Sequence, residues 1–193
     1  MRHCIVLALF LLSFTVSAGQ FVQPDNLYPK VRLVTSHGDI EVELDRAKAP
    51  ITVNNFLTYV KKKLYNNTVF HRLEAEFVLQ GGGYDSNYQP IEQLKTIFNE
   101  SGNGLKNLQG TIAMARLNDP HSASSQFYFN LKDSPHLDPG RNWGYAVFGY
   151  ITAGHEVIEK IRAVQTDTSA ELGWPNVPVE KVVLKTVIVL PEP

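Results

Sequence analysis

The sequence predicts a mostly β fold, a closed eight-stranded antiparallel β-barrel capped by two α-helices. Three observations carry this. Apolar residues recur at every second position in short runs along most of the chain, the spacing of strands with one buried face. Only two stretches show the three-and-four spacing of helices, and they lie far apart, so no βαβ alternation exists to build a parallel sheet. The composition, 193 residues with 44% hydrophobic and 19% charged, suits one core and excludes a disordered chain.

Taken in order, Val31 and Leu33 alternate before Ser36-His37-Gly38-Asp39, and Ile40, Val42 and Leu44 alternate after it, which makes a β-hairpin. Pro50 then opens a helix with Val53, Phe56, Leu57, Val60 and Leu64 on one face, ending at Lys61-Lys62-Lys63. Proline at the start and cations at the carbonyl end both suit helix termini. Strands follow at Val69–Leu73 and Phe77–Gln80. The stretch from Gly81 to Gln109 is polar and turn-rich, and reads as surface loop with one short strand near Ile97-Phe98. Three more strands are expected at Thr111–Ala115, Phe127–Leu131 and Tyr145–Tyr150. A second short helix carries Val157, Ile158, Ile161 and Val164, and Val182–Leu190 closes the chain as a strand. Such antiparallel strands close most economically into a barrel with the helices at its open ends.

The first eighteen residues stand apart. Arg2 and His3 precede an unbroken apolar run of nine, Cys4 to Leu12, followed by a polar break and Val16-Ser17-Ala18. This is the pattern of a secretory signal cleaved after Ala18. The run is far short of the ~20 residues a membrane span requires, so no stable membrane insertion is expected after cleavage. Residues 19–29 form a lead-in and 30–190 the folded domain. Removal of the signal also removes Cys4, the only cysteine, and leaves a thiol-free chain suited to an oxidising compartment. The expected location is the periplasm, ahead of the medium or an ER lumen.

Several chemistries are excluded by spacing. A single cysteine and scattered histidines provide no metal site, and neither a metal nor a cofactor is expected. Gly81-Gly82-Gly83 is not followed by the Lys-Ser/Thr of a phosphate loop, and glycines that let backbone pass close to another element explain it better. His155-Glu156 is followed by Glu159, not by the second histidine of a zinc protease. No nucleophile elbow occurs around Ser122, Ser124 or Ser125. A net charge of −1 lacks the basic excess of a nucleic-acid binder. The glycosylation acceptors at Asn66 and Asn99 matter only in a eukaryotic source.

One feature resists a structural explanation. Phe70-His71-Arg72 puts a cation inside an apolar strand, and Gln80 faces the same way only if the intervening turn preserves strand parity. A barrel-rim arginine in a structural network is one reading. A guanidinium held by Gln80 and presented to a polar ligand beside apolar side chains is the other.

At these residues the sequence resembles the cyclophilin family of peptidyl-prolyl cis-trans isomerases. FHRLEAEFVLQGGG (Phe70 to Gly83), GTIAMAR (Gly110 to Arg116), SSQFYFN (Ser124 to Asn130), HLD (His136 to Asp138) and YAVFG (Tyr145 to Gly149) are similar to family blocks in the same order. The likeness spans Val31 to Leu190 and is nearest the bacterial exported branch. It implies a cyclophilin-like barrel and an isomerase with Arg72 as catalytic donor, Gln80 orienting it and His71 supporting it from behind. It implies a proline pocket of Phe77, Val78, Tyr128 and Leu137, with His136 and Tyr145 at its edge and backbone groups of Ala115 and Arg116 holding the peptide. The implied partners are unfolded or partly folded proline-containing polypeptides, bound by a monomer. A peptide-binding chaperone or surface adhesion module with incidental turnover is the alternative.

The sequence departs from the family's pattern at several places. Leu73-Glu74-Ala75-Glu76 replaces a turn that usually carries Pro and Gly, and its two acids put negative charge beside Arg72. A preference for cationic clients is one reading, and a simple solvated turn, the preferred one, is the other. Tyr128 stands where Phe is usual, His136 where many relatives carry Trp, and Tyr145 where eukaryotic members often carry His. Loss of that indole implies weak binding of cyclosporin-type inhibitors.

Overall fold

The structure, a computed structural model, describes residues 21–192 except Glu171, so the expected signal segment and its cysteine lie outside the described residues. β1 (Lys30–Thr35) and β2 (Gly38–Leu44) form the predicted hairpin around Ser36-His37, with Val31, Leu33, Ile40, Val42 and Leu44 fully buried. Helix α1 (Pro50–Lys61) buries Val53, Phe56, Leu57 and Val60, while Leu64 falls beyond its end. Ala49 has no side chain to cap this helix. The Glu100 carboxylate does so from a distant loop, accepting the amides of Ile51 (3.1 Å) and Thr52 (2.7 Å).

The chain continues through β3 (Thr68–Leu73), β4 (Val78–Asp85), β5 (Thr111–Met114), β6 (Phe127–Asn130), a 3-10 turn (Pro135–Leu137) and β7 (Val147–Ala153). Helix α2 (His155–Arg162) follows and buries Val157, Ile158 and Ile161. Then come β8 (Thr166–Asp167), β9 (Val177–Pro178) and β10 (Val182–Val189). Eight strands close an antiparallel barrel in the order β1-β10-β3-β4-β6-β5-β7-β2, and β8 and β9 pair as a separate ribbon. Among the described residues no helix is long and apolar enough to cross a membrane.

Three sequence expectations need correction, and three short elements were not anticipated. The loop expected from Gly81 is strand as far as Asp85, because the glycines make room for rings packed against β4. A Cβ on Gly81 would lie 2.7 Å from the Phe70 ring, and one on Gly82 would lie 2.8 Å from the Phe127 ring. The strand expected near Ile97 reduces to a single bridge to Ala123. The strand expected from Tyr145 begins at Val147, since Tyr145 donates its amide to Leu137 O (2.9 Å) outside the barrel ladder. Finally, β8 and β9 and the 3-10 turn are too short to leave a periodic signal.

The barrel interior joins Leu79, Ile112, Phe129 and Phe127 to the buried faces of α1 and α2. Strand alternation turns Val78, Ala113, Tyr128 and Val147 to the opposite face. There they make a second, smaller apolar cluster with Phe77, Ala115, Leu137 and Tyr145.

Candidate active site

The second cluster floors a pocket of about 340 Å³ on the outside of the barrel. Arg72, Phe77, Val78, Gln80, Ala115, Arg116, Tyr128, Leu137 and Tyr145 line it, so most of the residues singled out in the sequence converge. The mechanism of convergence is local. Arg72 pairs directly with Gln80 across β3 and β4, which confirms the required parity, and a bulge between Phe70 and Arg72 re-aims the strand there. Phe70 therefore packs into the core while Arg72, two residues later, faces the pocket.

The guanidinium is held on two sides. Its Nη1 donates to Gln80 Oε1 (3.2 Å), and Gln80 Nε2 in turn donates to Gln126 Oε1 (2.8 Å). Its Nε and Nη2 donate to Glu74 Oε1 at 3.1 and 2.5 Å. The Phe77 ring flanks it, with the centroid 5.7 Å from Cζ. The reading of Glu74 as a solvated turn residue is thus overturned: it is the ion-pair partner of Arg72. Glu76 does point to solvent, and its carboxylate pairs with Arg162 (2.6 Å) and Lys132 (3.6 Å).

The cup beside this cation is apolar with one polar wall. Tyr128 donates its hydroxyl to Asn107 Oδ1 (2.9 Å), and burial pushes that phenol well above its usual range, so it remains protonated. Asn107 is itself fixed by Asp138, which accepts its amide at 2.8 Å and its side chain at 3.1 Å. On the far side, the Arg116 guanidinium lies 4.5 Å over the Tyr145 ring. It donates to the carbonyls of Leu117 (2.8 Å) and Trp143 (2.6 Å), locking two loops together. The Ala115 amide is spent on Gln126 O (2.9 Å), which leaves its carbonyl as the group able to hold a peptide.

Two of the residues singled out in the sequence do not line the pocket. His136 does not line the pocket but stacks on the outer side of Phe77, with centroids 5.4 Å apart. His71 is buried against Tyr84 and Trp174, with ring centroids 4.9 and 6.2 Å away, and its Nδ1 has no hydrogen-bond partner. The bulge between Phe70 and Arg72 breaks simple alternation here, so Phe70 enters the core while His71 packs against Tyr84 and Trp174 instead of entering the pocket. Burial first, and then the charge of Arg72, lower its pKa from the ordinary 6.5 to about 4. The support expected from His71 is therefore not a hydrogen bond to Arg72. Glu74 holds the guanidinium directly, Gln126 does so through Gln80, and Asn176 anchors Glu74.

An apolar cup, a fixed guanidinium and a neighbouring groove lined by polar groups thus lie side by side on the barrel. Comparison with known proteins places the chain among relatives. A family model described as cyclophilin type peptidyl-prolyl cis-trans isomerase/CLD matches residues 30–189. The chain is 46% identical over 164 residues to peptidyl-prolyl cis-trans isomerase cyp18 of Streptomyces antibioticus, covering 83% of this chain and 98% of the relative. It is 43% identical over 176 residues to peptidyl-prolyl cis-trans isomerase A of Dickeya dadantii, covering 91% of this chain and 90% of the relative. A crystal structure of a cyclophilin type isomerase from Cryptosporidium parvum superposes with a TM-score of 0.72 at 24% identity, covering 86% of this chain and 99% of that one. The chain belongs to the cyclophilin-type peptidyl-prolyl cis-trans isomerase family.

Proposed function

We propose that this protein accelerates cis–trans isomerisation of X-Pro bonds in proline-containing polypeptides, with Arg72 as the catalytic residue. The observation that carries this is the Arg72 guanidinium, fixed by Gln80 at 3.2 Å and aimed into a cup that suits a proline ring. The X-Pro bond turns slowly because the nitrogen lone pair is shared with the carbonyl, which sets a barrier of about 20 kcal/mol. As the bond twists, the nitrogen pyramidalises and its lone pair becomes a hydrogen-bond acceptor. A donor from Arg72 stabilises that lone pair only in the twisted state, which is differential transition-state binding without a covalent step or a cofactor. Phe77, Val78, Tyr128 and Leu137 anchor the ring while the preceding carbonyl swings. The Ala115 carbonyl and the backbone of Arg116 hold the chain.

The basic start, the apolar run Cys4 to Leu12 and Val16-Ser17-Ala18 support an exported enzyme that acts on other exported chains, in the periplasm. Fractionation of the native cell, followed by N-terminal sequencing, tests this: a chain starting at Gly19 outside the cytoplasm is expected, and an intact cytoplasmic chain contradicts it.

A second reading, binding of unfolded chains as a chaperone, draws support from Phe98, Leu117 and Trp143. These stand 57%, 77% and 49% exposed, and Leu117 also lines the adjoining groove. A protease-coupled assay on a short proline peptide separates the two readings by comparing wild type with Arg72→Ala. The isomerase reading expects catalysis to be lost in the variant, and equal rates contradict it. Protection of an aggregating client that survives the same substitution supports an additional chaperone role.

A further inference from the structure

We infer that Glu74 is a positioning residue for Arg72, the acidic jaw of a clamp that Asn176 completes from the loop before β9. This rests on the reading of Arg72 as the catalytic donor. A guanidinium carries five N–H donors. Two of them, on Nε and Nη2, go to Glu74 Oε1 at 3.1 and 2.5 Å, and one on Nη1 goes to Gln80 Oε1 at 3.2 Å. The lateral edge of the fork is thereby occupied, and the two remaining N–H groups are left for a ligand in the cup.

The carboxylate is itself anchored. Asn176 Nδ2 donates to the same Oε1 (3.1 Å), and Asn176 O accepts the Leu73 amide (2.9 Å). The backbone of Glu74 closes the β3–β4 turn through its amide to Val78 O (2.9 Å) and its carbonyl to the Phe77 amide (2.8 Å). Arg162 pins that turn from α2 by donating to Ala75 O (2.7 Å) and to Glu76 (2.6 Å). Asn176 holds a left-handed conformation, with φ of 58°, that presents both its carbonyl and its side chain to the turn. Without Glu74 the long side chain of Arg72 would rest on Gln80 and the face of Phe77 alone. All three donors meet one oxygen, so an amide oxygen in the same place can accept the same bonds. Position, not charge, is what Glu74 supplies.

The test uses the full-length chain and a short proline peptide, with kcat and KM measured separately and thermal midpoints recorded. Glu74→Ala is expected to lower kcat about tenfold, a loss of orientation and not of binding, with KM within about twofold of wild type. Glu74→Gln is expected to recover most of that loss, and Asn176→Ala to lower kcat about threefold. In proton–nitrogen spectra the Arg72 Nε–H is expected to resist exchange in wild type and Glu74→Gln but not in Glu74→Ala. A wild-type kcat in Glu74→Ala overturns the inference, as does a Glu74→Gln enzyme as slow as Glu74→Ala. If Glu74→Ala does not fold, Asn176→Ala decides: reduced kcat at constant KM supports the clamp, and wild-type kcat overturns it. Arg72→Ala separates the two levels. Full activity there removes the underlying reading, whereas an inactive Arg72→Ala beside a fully active Glu74→Ala removes only the role of Glu74.

Discussion

Arg72 and Gln80 face each other directly across the β3–β4 ladder, joined by a 3.2 Å hydrogen bond although they lie eight positions apart in sequence. The turn between them returns the chain in register, and the bulge after Phe70 points the arginine outward. Gln80 spends its other end on Gln126, so it links the cation to the residue just before β6 through one charge-assisted and one neutral hydrogen bond in series.

Removing that link loosens Arg72 without emptying the cup. Gln80→Ala is expected to lower kcat about tenfold, the worth of one hydrogen bond to a charged group, and to leave KM within about threefold. Steady-state isomerase kinetics check this, and a KM effect with normal kcat contradicts it.

His71 makes the fold sensitive to acid. Its folded pKa near 4 lies below its ordinary 6.5, so between those values the unfolded chain binds a proton that the folded chain refuses. Stability from this group is fully present above pH 6.5 and is lost as pH falls toward 4, by roughly 3 kcal/mol in all. Urea unfolding at pH 7.5 and pH 5 is expected to show a drop in wild type that is markedly smaller in His71→Asn. Equal drops in the two proteins contradict the assignment.

The glycines of β4 are steric necessities. Gly81→Ala sets a methyl 2.7 Å from the Phe70 ring, itself fully enclosed by the core, and Gly82→Ala adds a left-handed φ of 78° to a similar clash. Each is expected to destabilise the fold by about 1–3 kcal/mol, read as a lower urea midpoint. An unchanged midpoint would show that the rings move aside freely.

Cyclosporin-type inhibitors are expected to bind weakly. His136 lies outside the pocket, stacked on Phe77, and supplies neither the area nor the indole donor of a tryptophan. Isothermal titration checks this, with nanomolar affinity as the contradicting result, and His136→Trp is expected to tighten binding.

The sequence was most legible where its pattern was longest. Alternation at Val31–Leu44 and Val182–Leu190 and the helical face of Val53, Phe56, Leu57 and Val60 mark the frame of the barrel in the sequence itself. Arg72 stood out because a cation in an apolar strand needs a reason. What remained hidden depends on contacts distant in sequence: Asn176 reaching Glu74 across 102 residues, or Gln126 reaching Gln80 across 46. The surroundings of His71 were equally hidden, because the bulge between Phe70 and Arg72 is not visible in the spacing and Trp174 reaches the imidazole from about a hundred residues away. Glu74 misled because a charged residue in a turn usually faces water, and here the arginine two residues earlier claims it.

The central claim is that Arg72 acts on the twisted bond and not on ground-state binding. Exchange NMR on a saturating proline peptide measures the rate of interconversion within the complex and the dissociation constant together. Arg72→Ala is predicted to slow bound-state interconversion at least about a hundredfold while the dissociation constant moves less than about threefold. An interconversion rate that stays at the wild-type value, with the loss appearing only in binding, would contradict it.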